Sequence, residues 1–382
     1  MTRGYGRQWL DADDRAAVMA ALDAPLLTQG PQVPAFEAAL CSATGAKHAV
    51  AVANGTAALH LACLAAGIGP GCHVATQDIT FVASANAALY CGADTVLTDV
   101  DAASISMTPE QVGTGFDALI QVHFAGYSGL DGGLKALGGT VIEDACHALG
   151  GVDMGGKPVG SCVHSDMAVF SFHPVKSVTT AEGGAITTND SELATKLMQL
   201  RNHGLVRDAD AWTDAGLGMD GDAVNPWYYE QQGLGFNYRM TELQAALGVS
   251  QMKKLDTFMA KRRDLALAYL DRMAGIANVQ ALHGASAIRR SANHLFVVLI
   301  DFARVGKTRR QVMEALRARD VGSQVHYIPV HHQPFHAARL DAGAGFPKAD
   351  AYYERCLSLP LHPGMSLDDV DYVAAQVREV CA

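Results

Sequence analysis

From about residue 46 to residue 190, short apolar runs alternate with alanine-rich stretches. The runs His48–Val52, His73–Thr76, Thr95–Thr98, Ala118–His123, Thr140–Glu143, Met167–Phe172 and Gly184–Thr188 are apolar nearly throughout rather than at every second position. That pattern predicts strands covered on both faces, hence one large, mainly parallel seven-stranded sheet with helices between most of its strands. A stretch rich in Gly, Asp, Asn and Pro follows (Thr213–Pro226). Leu243, Ala246, Leu247 and Met252 then recur at helical spacing over Thr241–Leu255, and a charged helix continues from Lys261. Beyond Ser291 the pattern predicts a strand (His294–Ile300), a helix (Thr308–Arg319), a strand (Gly322–Tyr327) and a last helix (Leu367–Val380). These make a smaller α+β domain. The expected division is 12–245 for the large domain and 246–382 for the small one, with 1–11 packing at the active site.

The totals fit this picture. The 382 residues are enough for about two to three domains. With 49% hydrophobic and 18% charged residues the chain is globular rather than disordered. A net charge of −10 argues against nucleic acid or an anionic membrane surface as the main partner. The eight cysteines form no Cys-x-x-Cys pair and read as reduced thiols. Without an apolar signal core at the start or a run of membrane-spanning length, the expected compartment is the cytoplasm.

Within this frame Lys176 stands out as a lysine in a mostly uncharged stretch, Ser171 to Ala185. Upstream, Val141-Ile142-Glu143-Asp144-Ala145-Cys146-His147 ends a predicted buried strand in a carboxylate and an imidazole. Together they suggest pyridoxal 5′-phosphate (PLP), which needs an amine to condense with its aldehyde and an acid to keep its pyridine nitrogen protonated. Asp144 supplies that acid, because a carboxylate ending a buried strand needs a partner. His147 either contacts the ring or is a satisfied core histidine.

Other segments admit two readings. Asn54-Gly55-Thr56 opens a helix after a strand and suits a phosphate at a helix N-terminus, but is also an ordinary turn and N-cap. Phe81 could stack on a planar ring or belong to the core. The Ser171 hydroxyl could reach the same phosphate or only satisfy backbone groups. His331, His332 and His336 lie close together, but Pro329 and Pro334 interrupt their spacing and no carboxylate lies among them. They read as a loop near the site mouth, so no metal is expected. Arg239 is left open between anion binding and packing.

Taken together, these segments resemble the DegT/DnrJ/EryC1/StrS family of PLP-dependent nucleotide-sugar aminotransferases. The likeness runs through Asn54–Leu59, Thr80–Asn86, Glu143–Gly150, Ser171-Phe172-His173 with Lys176, Glu182–Ala185, Gly235–Ala246 and Val325-His326-Tyr327. It implies the aspartate aminotransferase-like fold (fold type I) and a homodimer with active sites at the subunit interface. By that likeness Lys176 carries the cofactor and shuttles protons, Asp144 pairs with the ring nitrogen, and His147 and Phe81 flank the ring. Gly55, Thr56 and Ser171 would hold the phosphate, with Asn237 contributed by the other subunit. Some members replace the lysine with histidine and dehydrate sugars; Lys176 argues against that branch.

Within the family, Tyr5-Gly6-Arg7-Gln8, Leu27–Pro31, Tyr229-Glu230-Gln231 and Gln324–Tyr327 are similar to the branch that works in pseudaminic acid biosynthesis. This implies transfer of the amino group of L-glutamate to C4 of a UDP-linked 4-keto-6-deoxy-N-acetylhexosamine. It also implies substrate contacts from Tyr5, Leu27, Thr28, Gln29, Gly30, Gln324, Val325, His326 and Tyr327. Departures such as Val122–Gly126 and the insertion-like Asp210–Asn225 leave open another nucleotide keto-sugar, aminated at C4 or C3. A non-catalytic PLP-fold regulator would be expected to have lost Lys176 or Asp144, and both are present.

Overall fold

The computed structural model describes residues 3–340 and 344–382, so the first two residues of the 1–11 segment lie outside it. All seven expected strands form one sheet: β1 (His48–Val52), β2 (His73–Gln77), β3 (Asp94–Thr98), β4 (Ala118–Val122), β5 (Thr140–Asp144), β6 (Met167–Ser171) and β7 (Gly184–Thr188). Their order is β1-β7-β6-β5-β4-β2-β3. β7 pairs antiparallel with both neighbours and every other pair is parallel. Six strands therefore deliver their carboxyl ends to one edge, where an open α/β sheet places its ligand site.

Helices cover both faces, as near-continuous apolar strands require. On one side Gly55–Ala65 is buried along almost its whole length and packs against Val82–Tyr90. On the other, Gln32–Thr44 packs against Glu242–Met252, and Phe36 meets Phe172 edge-on at 4.9 Å. Gly248 is needed at this crossing, because a Cβ there would lie 2.7 Å from the Phe36 ring.

The small C-terminal domain is built on an antiparallel sheet of Val279–Ala281, Phe296–Ile300 and Cys356–Leu359, with Phe296–Ile300 in the middle. Helices Leu255–Met273 and Leu367–Cys381 pack together over it. Its core includes fully buried Tyr269, Val298, Leu357 and Val373, and each large apolar side chain buried this way contributes about 1.5–3 kcal/mol.

Two expectations need correction here. Gly322–Tyr327 is not a strand; its only ladder contact is a single bridge from Gln324 to Ser358. The segment instead runs between the small sheet and the large domain, with Tyr352 Oη donating to the His326 carbonyl at 2.6 Å. The charged helix begins at Leu255 rather than Lys261, directly after the break at Lys253–Lys254.

Buried Arg262 ties these parts together. Its Nη1 donates to the carbonyls of Asn293, His294 and Leu361 at 3.0–3.4 Å, and burial brings its pKa down to about 10. His294, held in this way, lies against His147 with ring centroids 4.2 Å apart and the planes tilted by 34°.

Candidate active site

A cavity of about 850 Å³ opens at the carboxyl edge of the sheet. Asp144 ends β5 at its floor, and both of its carboxylate oxygens are held. Ser84 Oγ donates to Oδ2 at 2.6 Å, and the Cys146 backbone N–H donates to Oδ1 at 3.2 Å. Thr80 Oγ1 lies 2.8 Å from Ser84 Oγ and extends the network. The carboxylate is thereby fixed in orientation while facing the cavity.

Lys176 reaches the cavity from the loop joining β6 to β7. That loop is fastened at both ends, because Ser171 pairs with Gly184 and the Phe172 N–H donates to the Gly183 carbonyl at 2.9 Å. Burial pushes the Lys176 amine below the usual lysine range, against the opposing pull of Cys146 and Asp144. A lowered pKa enlarges the neutral fraction, the form that acts as a nucleophile or base.

His147 is buried, and burial, followed by the nearby charges of Lys176 and His326, pushes its pKa well down. It therefore acts as a neutral imidazole. Its Nε2 meets Tyr327 Oη at 3.1 Å, whereas Nδ1 is buried without a partner among the described residues. His147 is thus not a satisfied core histidine.

The phosphate-type cradle lies at the start of helix Gly55–Ala65. Asn54 caps it by accepting from the Ala57 N–H at 2.8 Å. A Cβ on Gly55 would lie 2.9 Å from the Ser171 Cβ, and one on Gly184 would lie 2.4 Å from the Asn54 carbonyl oxygen. Glycine at both places brings the helix start and the ends of β6 and β7 together around Thr56 and Ser171. Phe81 does not belong to the core. It is 57% exposed at the head of helix Val82–Tyr90 and lines the cavity, 6.1 Å between centroids from the Tyr327 ring.

Tyr5, His326 and Tyr327 also line the cavity. Burial brings His326 down to about 4, and its Nδ1 lies 2.9 Å from Ser358 Oγ. Other expected site residues sit outside this chain's own cavity. Gln324 is exposed and bridged to Ser358, and Val325 packs with the cluster around Ile79 and Phe124. Asn237 is exposed and bridges Asn202, while Arg239 donates to Asn202 Oδ1 at 2.6 Å.

Leu27, Thr28, Gln29 and Gly30 form a surface segment pinned to Glu242. The Glu242 N–H donates to the Leu27 carbonyl, and its carboxylate accepts from the N–H groups of Gln32 and Val33. Sequence reasoning missed Ser84, the donor to Asp144, and the cavity-lining His60, Tyr90 and Tyr238. These come from distant segments whose local patterns are those of ordinary core.

Fold and cavity together define a fold type I PLP-dependent transferase. The chain belongs to the DegT/DnrJ/EryC1/StrS aminotransferase family, whose sequence profile matches residues 8–378, and it is a sugar aminotransferase. It is 36% identical to the spore coat polysaccharide biosynthesis protein SpsC of Bacillus subtilis, covering 98% of this chain and 96% of that relative. Among solved structures it resembles PseC of Helicobacter pylori, an aminotransferase involved in the biosynthesis of pseudoaminic acid. The TM-score is 0.88 at 30% identity, with 100% of this chain and 99% of the other covered. It also resembles an aminotransferase from Psychrobacter cryohalolentis, with a TM-score of 0.88, 27% identity and 98% of each chain covered.

The family cofactor, PLP, fits these residues on three observations: an amine held toward neutrality by burial, an unpartnered buried imidazole nitrogen, and a helix start kept open by Gly55.

Proposed function

We propose that this enzyme transfers the amino group of L-glutamate to C4 of a UDP-linked 4-keto-6-deoxy-N-acetylhexosamine, as a UDP-4-amino-4,6-dideoxy-N-acetyl-β-L-altrosamine transaminase of pseudaminic acid or related surface-glycan biosynthesis. The observation that carries the reaction is the convergence of Lys176, Asp144 and His147 on one cavity that also holds the Gly55–Thr56 helix start. The likeness to PseC and SpsC supports the sugar class.

Lys176 would hold the cofactor covalently, Asp144 would serve its ring nitrogen, and His147 and Phe81 would flank the ring. Gly55, Thr56 and Ser171 would receive the phosphate, joined by Asn237 of the second subunit in a homodimer. Bound there, PLP supplies an electrophilic carbonyl and an electron sink. Once the amine of glutamate has displaced it, the freed Lys176 Nζ takes the α-proton of glutamate, and the same amine delivers a proton at C4 of the sugar in the second half of the reaction. Glutamate leaves as 2-oxoglutarate, and its nitrogen replaces the C4 carbonyl oxygen of the sugar. Tyr5, His326 and Tyr327 bound the sugar side of the cavity. Leu27–Gly30, Gln324 and Val325 complete substrate binding, the exposed segments among them from the partner.

Incubation with glutamate and a panel of UDP-linked keto-sugars, followed by NMR of the amino sugar formed, tests the proposal. Amination only at C3, or only of sugars lacking the acetamido group, would overturn the assignment.

A further inference from the structure

Apart from the cavity, the fold gathers two imidazoles and a carboxylate that the sequence keeps apart. His331 and His332 lie on the turn after Pro329, and Asp350 comes from helix Pro347–Arg355. His331 Nε2 is 3.3 Å and His332 Nε2 2.8 Å from the same oxygen, Asp350 Oδ1, and one ligand atom from each of the three residues lies within 4.8 Å of the others. Ligand atoms of a tetrahedral ion bound at about 2.0–2.1 Å stand roughly 3.3 Å apart, which the two contacts to Asp350 approach.

A second shell is already in place. Asp78 is fully buried; its Oδ1 accepts from the His331 backbone N–H at 2.9 Å, and its Oδ2 lies 2.6 Å from His331 Nδ1. A carboxylate only accepts there, so Nδ1 carries a ring proton and Nε2 is the nitrogen turned toward Asp350. A carboxylate–histidine pair is the arrangement that orients and strengthens a metal-bound imidazole.

The ring also stacks on Phe346 at 4.8 Å and lies against His332 at 4.0 Å between centroids. The Asp350 helix is anchored where the Lys348 and Ala349 N–H groups donate to Asp99 at 3.1 and 2.9 Å. His332 and Asp350 are partly exposed, which leaves an entry path and room for a water as fourth ligand.

We infer that His331 Nε2, His332 Nε2 and Asp350 form a binding site for a divalent transition-metal ion of the zinc type, with Asp78 as the orienting partner. The two-nitrogen, one-oxygen ligand set suits zinc and its neighbours rather than calcium or magnesium. An ion there would join the turn after Pro329, helix Pro347–Arg355 and the Asp78 end of the segment that carries Thr80 and Phe81. The inference does not depend on which sugar the enzyme aminates.

The test is zinc titration by calorimetry on tag-free, PLP-loaded, EDTA-dialysed protein, together with an anomalous difference map at the zinc edge from a zinc-soaked crystal. One ion per chain is expected, with a peak between the three ligands. Removing even an outer partner of a metal site costs about 10–100-fold in affinity, so Asp350→Asn and His332→Ala should each weaken binding at least about tenfold. No binding, a zinc peak elsewhere, or unchanged affinity in both variants would overturn the site.

Discussion

Tyr327 Oη lies 3.1 Å from His147 Nε2, and through this contact the segment leading out of the small domain touches the residue just beyond the carboxyl end of β5. Burial raises the Tyr327 pKa and lowers that of His147, so the pair is a neutral phenol and a neutral imidazole joined by a directional hydrogen bond. Tyr327→Phe leaves a buried nitrogen unpaired. It is expected to lower the stability of the holoenzyme by about 1–3 kcal/mol, read from urea unfolding. An unchanged midpoint would show that water replaces the phenol at no cost.

Among the described residues that line the cavity, Lys176 is the only lysine. Lys176→Ala is expected to reduce amination by at least about 10³-fold, on the scale of a lost general acid–base group. Borohydride treatment of PLP-loaded wild-type protein should attach a pyridoxyl group to this side chain, identified by peptide mass spectrometry. A label on another lysine, or full activity in the variant, would remove Lys176 from the chemistry.

Ser84 acts through Asp144. Ser84→Ala takes away the 2.6 Å donor to Oδ2 and leaves the carboxylate with only the Cys146 N–H. Hydrogen bonds to charged groups are worth about 1.5–3 kcal/mol, so kcat is expected to fall roughly ten- to hundredfold. The KM for the sugar should hold. A change in KM alone would point to a substrate contact instead.

Gly30 is confined by Glu242, whose Oε2 would lie 2.7 Å from an added Cβ. Gly30→Ala is expected to displace the Leu27–Gly30 segment from its anchor and cost about 1–3 kcal/mol in stability. If this segment contacts the sugar nucleotide of the second subunit, the KM for that substrate rises while the KM for glutamate stays put. Parallel changes in both would argue for a general loss of structure.

His283, His326 and His362 are each brought down to about 4 by burial. An unfolded histidine titrates near 6.5, so between about pH 6.5 and 4 the unfolded chain binds protons that the native chain does not. Stability therefore rises with pH across this window and is lost on acidification. Three such groups give a limiting slope of about 4 kcal/mol per pH unit. Unfolding measured from pH 7 to pH 4.5 should show the decline, and His283→Asn should make it shallower by about one proton. A flat profile would mean that these rings are solvated in the native protein.

The seven sheet strands are legible in sequence to within one residue at either end, because burial on both faces leaves an uninterrupted apolar signal. The small sheet is less so. Val279–Ala281 is a short, partly exposed edge strand, and Cys356–Leu359 follows helix Pro347–Arg355 without a turn residue to mark the change. Lys176, Asp144 and His147 stand out because charged or polar groups beside buried strands are costly without a task. Ser84 and Tyr238 carry no such signal, since a serine in an alanine-rich helix and a tyrosine in a loop are ordinary. Asp350 is invisible as a neighbour of His331 for the same reason: only the tertiary fold supplies the missing carboxylate.

Because Ser171 and Gly184 are paired opposite one another, the stretch from Phe172 to Gly183 works as a ruler whose length sets where the ε-nitrogen arrives. Substitutions along it can be absorbed by side-chain adjustment, but a one-residue deletion would have to shorten the ruler or slip β7, and a slip exchanges the side chains that this strand presents to its two covered faces. Among relatives that keep the chemistry, insertions and deletions should therefore accumulate in outlying stretches such as 213–226 and avoid this one.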